Sequence, residues 1–325
     1  MRGFARCAAA GTFVALAGMY VGAQAPAVPA RDAGPILAAA RQALGGDKKL
    51  TAVKSFTASG RTKQVRGENL VPMEFEIFVE LPDKYVRKDE IPAQETGVTA
   101  AGFNGDDLVQ DPPPQAPPTP AAPAPSTSPG QVPPTAAGPG GPPRNPFAAR
   151  VTSLKQDFAR LTLGMFATSF SGYPLTFSYV GEAEAPQGKA DVVDAKGPNN
   201  FTLRLFITKD THLPIMVTWQ GTPPGRGRPG GPGAPGAAAA GATGARGAGD
   251  ARGAGEARGA TDARGAAPSA PVENRLYFAD YRDVDGLQLP FRLRRAVGAD
   301  TIEETTFDRY KINAKIDPKR FEVRR

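Results

Sequence analysis

Side chains able to do catalytic chemistry are few in this sequence. Among 325 residues there are one His, one Cys and one Trp. These counts exclude a disulfide framework, a Cys zinc site, an iron–sulfur cluster and a multi-His metal site. A catalytic histidine needs a nucleophile and an orienting partner within reach. His212 lies in a Thr-His-Leu-Pro segment with neither in view, so it is predicted to be an ordinary turn residue.

Carboxylates cluster in two patterns, and neither predicts a site. The segment 280–286 reads DYRDVDG, but it lacks the spacing and the distant Glu of a calcium loop. Its Asp285-Gly286 pair suits a two-residue hairpin turn. The pairs Glu74/Glu76 and Glu303/Glu304 lie in alternating strands, where side chains point to opposite or solvent faces. We therefore predict no enzymatic activity, no metal and no cofactor, with an unrecognised hydrolase using His212 as the weakest alternative.

The N-terminus is typical of an export signal. Arg2 and Arg6 precede an apolar run over residues 7–22, which is shorter than the roughly 20 residues that a membrane span needs. Residues 1–25 are predicted to be a cleaved signal peptide, with cleavage after Ala23, Ala25 or Ala27; an uncleaved anchor is the alternative. Cys7 stands at the start of the apolar run rather than after its end, so a lipoprotein is not predicted. The expected location is the periplasm or cell envelope.

Two segments have compositions that cannot form a core. Residues 112–146 are rich in Pro, and residues 222–270 are rich in Gly, Arg and Ala with an ARGAGD-like repeat. Neither holds enough apolar bulk to offset the entropy of ordering, so both are predicted to be disordered insertions. Much of the formal net charge of +7 lies in the signal and the second insertion, which together with export argues against a nucleic-acid partner.

The remaining chain predicts a mainly β fold. A helix is predicted over Asp32–Leu44, ended by Gly45-Gly46. A second is predicted over residues 147–165, with an apolar stripe along one face and Arg150, Lys155, Asp157 and Arg160 off it. Nine to eleven short alternating strands make up the rest, without βαβ alternation. We predict an α+β fold in which a curved antiparallel sheet forms an unclosed β-barrel with the two helices as a lid. Residues 32–325 would be a single discontinuous domain, interrupted by 112–146 and 222–270.

Two segments resemble a known family. They are Lys-Asp-Thr-His-Leu-Pro-Ile at 209–215 and the pattern F-x-D-Y-x-x-V-D-G-L-x-L-P at 278–290. With the order of the elements, they resemble the bacterial outer-membrane lipoprotein carrier and sorting (LolA-like) superfamily, in a divergent branch. The resemblance implies an unclosed barrel whose helical lid covers an apolar cavity that holds acyl chains.

A ligand role follows as a prediction for the apolar side chains of the sheet and the second helix. The predicted cavity wall comprises Phe75, Ile77, Val79, Phe201, Leu203, Val217, Trp219, Leu289 and Phe291. The predicted lid comprises Phe147, Val151, Leu154 and Phe158. The leading hypothesis is an exported, non-enzymatic protein that holds a lipid or lipoprotein acyl chain, with envelope membrane components as further partners. The alternative is an envelope scaffold with a filled barrel, whose low-complexity loops make the contacts. Oligomeric state is not predicted.

Overall fold

Three α-helices and twelve strands make up the described part of this computed structural model, which covers residues 32–92, 97–113, 147–185, 188–221 and 271–322. The helices are α1 (Gly34–Ala43), α2 (Asp47–Ala52) and α3 (Ala148–Phe166). The strands are β1 (Ser55–Arg66), β2 (Asn69–Glu80), β3 (Lys84–Glu90), β4 (Thr99–Asn104), β5 (Asp107–Asp111), β6 (Thr176–Ala185), β7 (Gly188–Gly197), β8 (Phe201–Thr208), β9 (Pro214–Gly221), β10 (Val272–Val284), β11 (Leu287–Val297) and β12 (Asp300–Ile312). The predicted signal peptide 1–25, the predicted insertion 222–270 and all but the first two residues of the predicted insertion 112–146 lie outside the described residues.

All twelve strands belong to one antiparallel sheet with the order β5-β4-β3-β2-β1-β12-β11-β10-β9-β8-β7-β6. Two meanders, β1–β5 and β6–β12, are joined where β1 pairs with β12. Within the described residues, β5 and β6 each have one strand neighbour, so the sheet is not closed. The predicted fold class is confirmed, with one strand more than the expected range. The short helix α2 was not predicted, because six residues are too few to show a helical period.

The sheet curls around α3, as two ring contacts from one helical turn show. Phe158 lies 5.7 Å from the ring of Phe103 on β4, and the guanidinium of Arg160 lies 4.3 Å from the ring of Trp219 on β9. Six strands separate β4 from β9 in the sheet order, so in a flat sheet these strands would be about 34 Å apart. Residues two apart in a helix can touch both only if the sheet wraps around that helix.

Strict alternation in the strands explains which face is buried. In β1, buried residues recur at every second position from Phe56 to Gln64, and β2 and β8 alternate in the same way. The inward residues form the main core together with α1 and α3. Among the described residues, no helix is both long and apolar enough to cross a bilayer.

A smaller cluster covers the outer face of the first meander. Val86, Val109, Ile316 and Phe321 are buried there, against Phe78 and Ala100. The 3-10 helix Pro318–Phe321 begins at the N-cap Asp317, whose carboxylate accepts from the backbone N–H of Lys319. The C-terminal segment therefore packs on the outside of the sheet, away from α3.

Candidate ligand-binding groove

The predicted wall and lid side chains all lie in the main core or against it. Eight of the nine wall residues are buried, and Trp219 is partly buried and packed on the cluster. Of the lid residues, Val151, Leu154 and Phe158 are buried, and Phe147 packs against the core. The structure thus brings the predicted residues together on the concave side of the sheet, while their role toward a ligand stays a prediction.

A small cavity lies between α3 and the concave face. Its volume is about 50 Å³. Its lining is half apolar and half polar, and comprises Ile77, Tyr85, Arg87, Asp157, Leu161, Leu276, Leu293, Arg295, Glu303, Thr305 and Phe307. A cavity needs about 10–15 Å³ to hold one water molecule, so this one has room for a few. Ile77 is the one predicted wall residue among the described residues that line it.

The concave face changes from apolar to polar along its strands, and the cavity lies at the change. The inward positions of β1 run from Phe56 and Ala58 to Thr62 and Gln64. The other strands with this change are β3 (Tyr85 to Arg87 and Asp89), β12 (Tyr310 and Phe307 to Thr305 and Glu303) and β11 (Leu289 and Leu293 to Arg295). Because neighbouring strands are antiparallel, all four changes run toward the same end of the sheet.

Seven side chains make up the polar end, which we call the polar band: Thr62, Gln64, Arg87, Asp89, Arg295, Glu303 and Thr305. Hydrogen bonds connect six of them to one another, and Arg295 bonds to Asp157 of α3. Arg87 donates from Nε to Asp89 Oδ1 at 2.8 Å and from Nη2 to Thr62 Oγ1 at 3.2 Å. The hydroxyls of Thr62 and Thr305 are 2.9 Å apart. Burial raises the pKa of Asp89 above its ordinary value, against the attraction of Arg87. Side chains buried this deeply are stable only when paired in this way.

Gln64 and Thr305 complete the network around Glu303. Gln64 Nε2 donates to Glu303 Oε2 at 3.2 Å, and Thr305 Oγ1 donates to Glu303 Oε1 at 3.3 Å. Each carboxylate oxygen of Glu303 therefore accepts a hydrogen bond. These residues were not among the predicted site residues, although the alternation of β1 continues through Thr62 and Gln64 and places both on the inward face.

Helix α3 adds a second charged group to the cavity. Arg160 Nη1 donates to Asp157 Oδ1 at 2.8 Å, and Arg295 Nη2 donates to the same oxygen at 3.4 Å. Arg160 is 8% exposed, and burial lowers its pKa. Asp157 and Arg160 lie off the apolar stripe, yet Arg160 is buried and Asp157 partly buried, because the curled sheet covers more of α3 than this stripe.

The C-terminal half of α3 is fixed closely to β10. A Cβ on Gly164 would lie 2.1 Å from Cε1 of Phe278, so only a glycine allows this approach. The hydroxyl of Tyr281 lies 2.8 Å from the carbonyl oxygen of Gly164 and 2.7 Å from that of Pro214. The N-terminal half buries Val151 and Leu154 in the core, and its polar contacts with the sheet include Lys155 Nζ to the exposed Asp106 Oδ1 at 2.7 Å.

The other chemical candidates occupy turns. His212 has a φ of 55° in the turn between β8 and β9. Asp283 Oδ1 accepts from the backbone N–H of Gly286 at 3.2 Å, and Asp285 and Gly286 have φ values of 55° and 80°, as a two-residue hairpin turn requires. No group of three metal-ligating side chains occurs in the described ranges.

Comparison with known proteins gives low identities throughout. No protein-family model matches the sequence, and no curated protein matches it. A LolA superfamily protein from Nitrosomonas europaea is 12% identical, with a TM-score of 0.47 over 89% of this chain and 97% of that one. A domain named for outer membrane lipoprotein sorting, from Vibrio parahaemolyticus, is 8% identical, with a TM-score of 0.41 over 89% and 97%.

A third solved structure is similar at the same level. It is a DUF1329 family protein from Desulfovibrio piger, 7% identical, with a TM-score of 0.40 over 90% of this chain and 98% of that one. Two of these three structures are named for the superfamily, or for the lipoprotein sorting, that the segments 209–215 and 278–290 resemble.

Proposed function

We propose that this chain is an exported, non-enzymatic carrier that holds a lipid or lipoprotein acyl chain between α3 and the concave face of the sheet. The observation that carries the proposal is the cavity of about 50 Å³ beneath α3. It lies in the space between α3 and the concave face, which we call the groove, at the point where the lining changes from apolar to polar. A filled core has no need of a hollow at this place, since interiors normally pack without voids larger than a water molecule.

The cavity is smaller than an acyl chain, so binding requires part of α3 to move. The close contact of Gly164 with Phe278 holds the C-terminal half in place. The exposed pair of Lys155 with Asp106 belongs to a class that contributes about 0–1 kcal/mol. We therefore assign the opening movement to the N-terminal half, from Phe147 to Asp157.

The burial of an acyl chain offsets the cost of opening α3. Opening exposes Val151 and Leu154, which are buried in the core, at a cost of about 1.5–3 kcal/mol for each side chain. A twelve-carbon chain that takes their place contributes about 0.8 kcal/mol for each buried CH₂, or about 9 kcal/mol in all. A chain of this length more than offsets the opening.

A scaffold role is the second candidate, and the small volume of the cavity favours it. In that role the interior stays filled, and the segments 112–146 and 222–270 make the contacts. The two functions differ in whether the folded protein retains an apolar molecule through purification.

The test is extraction of the purified protein with organic solvent, followed by mass spectrometry. Under the carrier proposal, the extract contains an acyl-chain compound in a fixed ratio to protein. Leu161→Trp, which fills the cavity from α3, lowers that ratio. Val180→Trp is the matched control, because Val180 is exposed and does not line the cavity. Extracts without such a compound from the unaltered protein, or equal yields from both variants, overturn the proposal.

A further inference from the structure

Four charged side chains line the cavity: Arg87, Arg295, Asp157 and Glu303. Two more are bonded to them from just outside the lining, Asp89 to Arg87 and Arg160 to Asp157. The hydrogen-bonding capacity of these six groups is not used equally. Both oxygens of Glu303 accept hydrogen bonds, and Asp89 accepts from Arg87 at 2.8 Å. The carboxylates of the polar band therefore have hydrogen-bond donors.

One hydrogen-bond donor on α3, the Nε of Arg160, is not used within the described residues. The Nε of Arg160 is buried and has no hydrogen-bond partner among the described residues. The Cζ atom of the same guanidinium lies 4.3 Å from the ring centroid of Trp219 and 5.0 Å from that of Phe201, so it is in cation–π contact with both rings. An unpaired buried donor destabilises a protein by about 1–3 kcal/mol, and an acceptor bound there would remove that cost.

The acceptor that Arg160 already has is shared. Asp157 Oδ1 receives hydrogen bonds from both Arg160 and Arg295, so these two guanidiniums converge on one anionic oxygen. Guanidiniums keep their charge at any working pH, and their planar donor forks match phosphate and carboxylate groups. A second anion placed beside Asp157, or in its place, would meet donors from both arginines.

We infer that the polar end of the groove binds the anionic headgroup, phosphate or carboxylate, of an amphiphile whose apolar chain lies along the concave face, with Arg160 and Arg295 as the headgroup ligands. The inference rests on the proposed carrier function and names its ligand class. The change from apolar to polar lining on four strands gives the orientation: the chain points toward Phe56 and Leu289, and the headgroup toward Arg295.

The experiment compares headgroups on one chain length by isothermal titration calorimetry, below the micelle-forming concentration. The probes are dodecyl phosphate, dodecyl maltoside, dodecyltrimethylammonium and inorganic phosphate. We expect dodecyl phosphate to bind at least tenfold more tightly than either other amphiphile, and inorganic phosphate to bind at least tenfold more weakly than dodecyl phosphate. Trp219 is the single Trp of the chain, and its fluorescence should change with dodecyl phosphate because Arg160 stacks on it.

Variants separate this inference from the carrier function. Arg160→Gln and Arg295→Gln each reduce the preference for dodecyl phosphate over dodecyl maltoside about tenfold. Arg204→Gln is the matched control, because Arg204 is an exposed arginine paired with Asp194 on another part of the sheet. Circular dichroism verifies that each variant is folded, and either arginine variant alone suffices for the comparison.

The outcomes are distinct. Equal affinity for the phosphate and maltoside amphiphiles, or a preference that survives both arginine substitutions, overturns the headgroup assignment and leaves the carrier function standing. Inorganic phosphate that binds as tightly as dodecyl phosphate shows that the site takes a free anion, which also overturns the assignment. If none of the amphiphiles binds, the carrier function fails together with the inference.

Discussion

The contact of Gly164 with Phe278 predicts how Gly164→Ala changes the free energy of unfolding. The sign of this change should depend on whether position 278 is Phe or Ala. A Cβ at position 164 would lie 2.1 Å, 2.3 Å and 2.4 Å from three ring atoms of Phe278, where ordinary contact begins at 3.4 Å. Phe278 is 3% exposed, so its ring has little room to turn away. Gly164→Ala therefore forces α3 and β10 apart by about 1 Å at this point.

Two opposing energies give the magnitude. Overpacking a filled core costs about 1–3 kcal/mol, and replacing a mid-helix Gly by Ala contributes about 1 kcal/mol of helix stability. The difference lowers the free energy of unfolding of Gly164→Ala by up to about 2 kcal/mol. In a Phe278→Ala background the obstructing ring is gone, so the same substitution should raise it by up to about 1 kcal/mol.

The assay is urea unfolding of the unaltered protein, both single variants and the double variant, followed by far-UV circular dichroism. Phe278→Ala alone should cost about 3–5 kcal/mol, which sets the baseline for the second comparison. Constant slopes against urea concentration across the four proteins would verify that stability alone has changed. If Gly164→Ala shifts stability in the same direction in both backgrounds, the close approach does not fix α3, and the assignment of movement to its N-terminal half loses its basis.

Two further predictions concern the polar band and the second insertion. Burial raises the pKa of Asp89 above its ordinary value of 3.8, so the folded state holds this proton more tightly than the unfolded state does. The free energy of unfolding of the unaltered protein, relative to that of Asp89→Asn, should then fall as pH rises from 3.8 toward the raised pKa. Urea midpoints of the two proteins that change in parallel with pH would contradict this. Gly221 and Val272 face each other across β9 and β10, so replacing residues 222–271 with Asn-Gly should close a two-residue hairpin. The shortened chain should fold with an unchanged melting temperature and bind dodecyl phosphate as before, whereas lost binding would favour the scaffold role.

The elements with a clear local period were predictable. The stripe along α3 and the alternation in β2 and β8 depend on neighbouring residues alone, so the sequence contains the whole signal. The same holds for the turn at Asp285-Gly286, where both residues have positive φ as the residue types predict.

The burial of Arg160 and the partial burial of Asp157 were not predictable in this way. A helical period shows which face is apolar, but it carries no information on how far a sheet curls around the helix. The polar band has the same origin: Thr62 meets Thr305 and Arg87 only through the pairing of β1 with β12 and the fold of the first meander. These contacts join residues far apart in the chain, so their register is set by the fold as a whole.

The polar band is difficult to explain as a stabilising device. Replacing a buried ion pair by apolar side chains of similar volume is often neutral or stabilising by about 1–4 kcal/mol, and the inward positions of β1, β3, β11 and β12 would continue an apolar core without it. Arg87 and Asp89 are nevertheless 7% and 5% exposed, in direct contact with each other. A groove that receives only an acyl chain would gain from an apolar lining throughout, and an inert filled barrel would gain as much. A lining that becomes polar at the same end on four strands is complementary to an amphiphile, which has an apolar chain and a polar headgroup. The comparison of headgroups therefore tests the function of this lining more directly than the binding of an acyl chain alone.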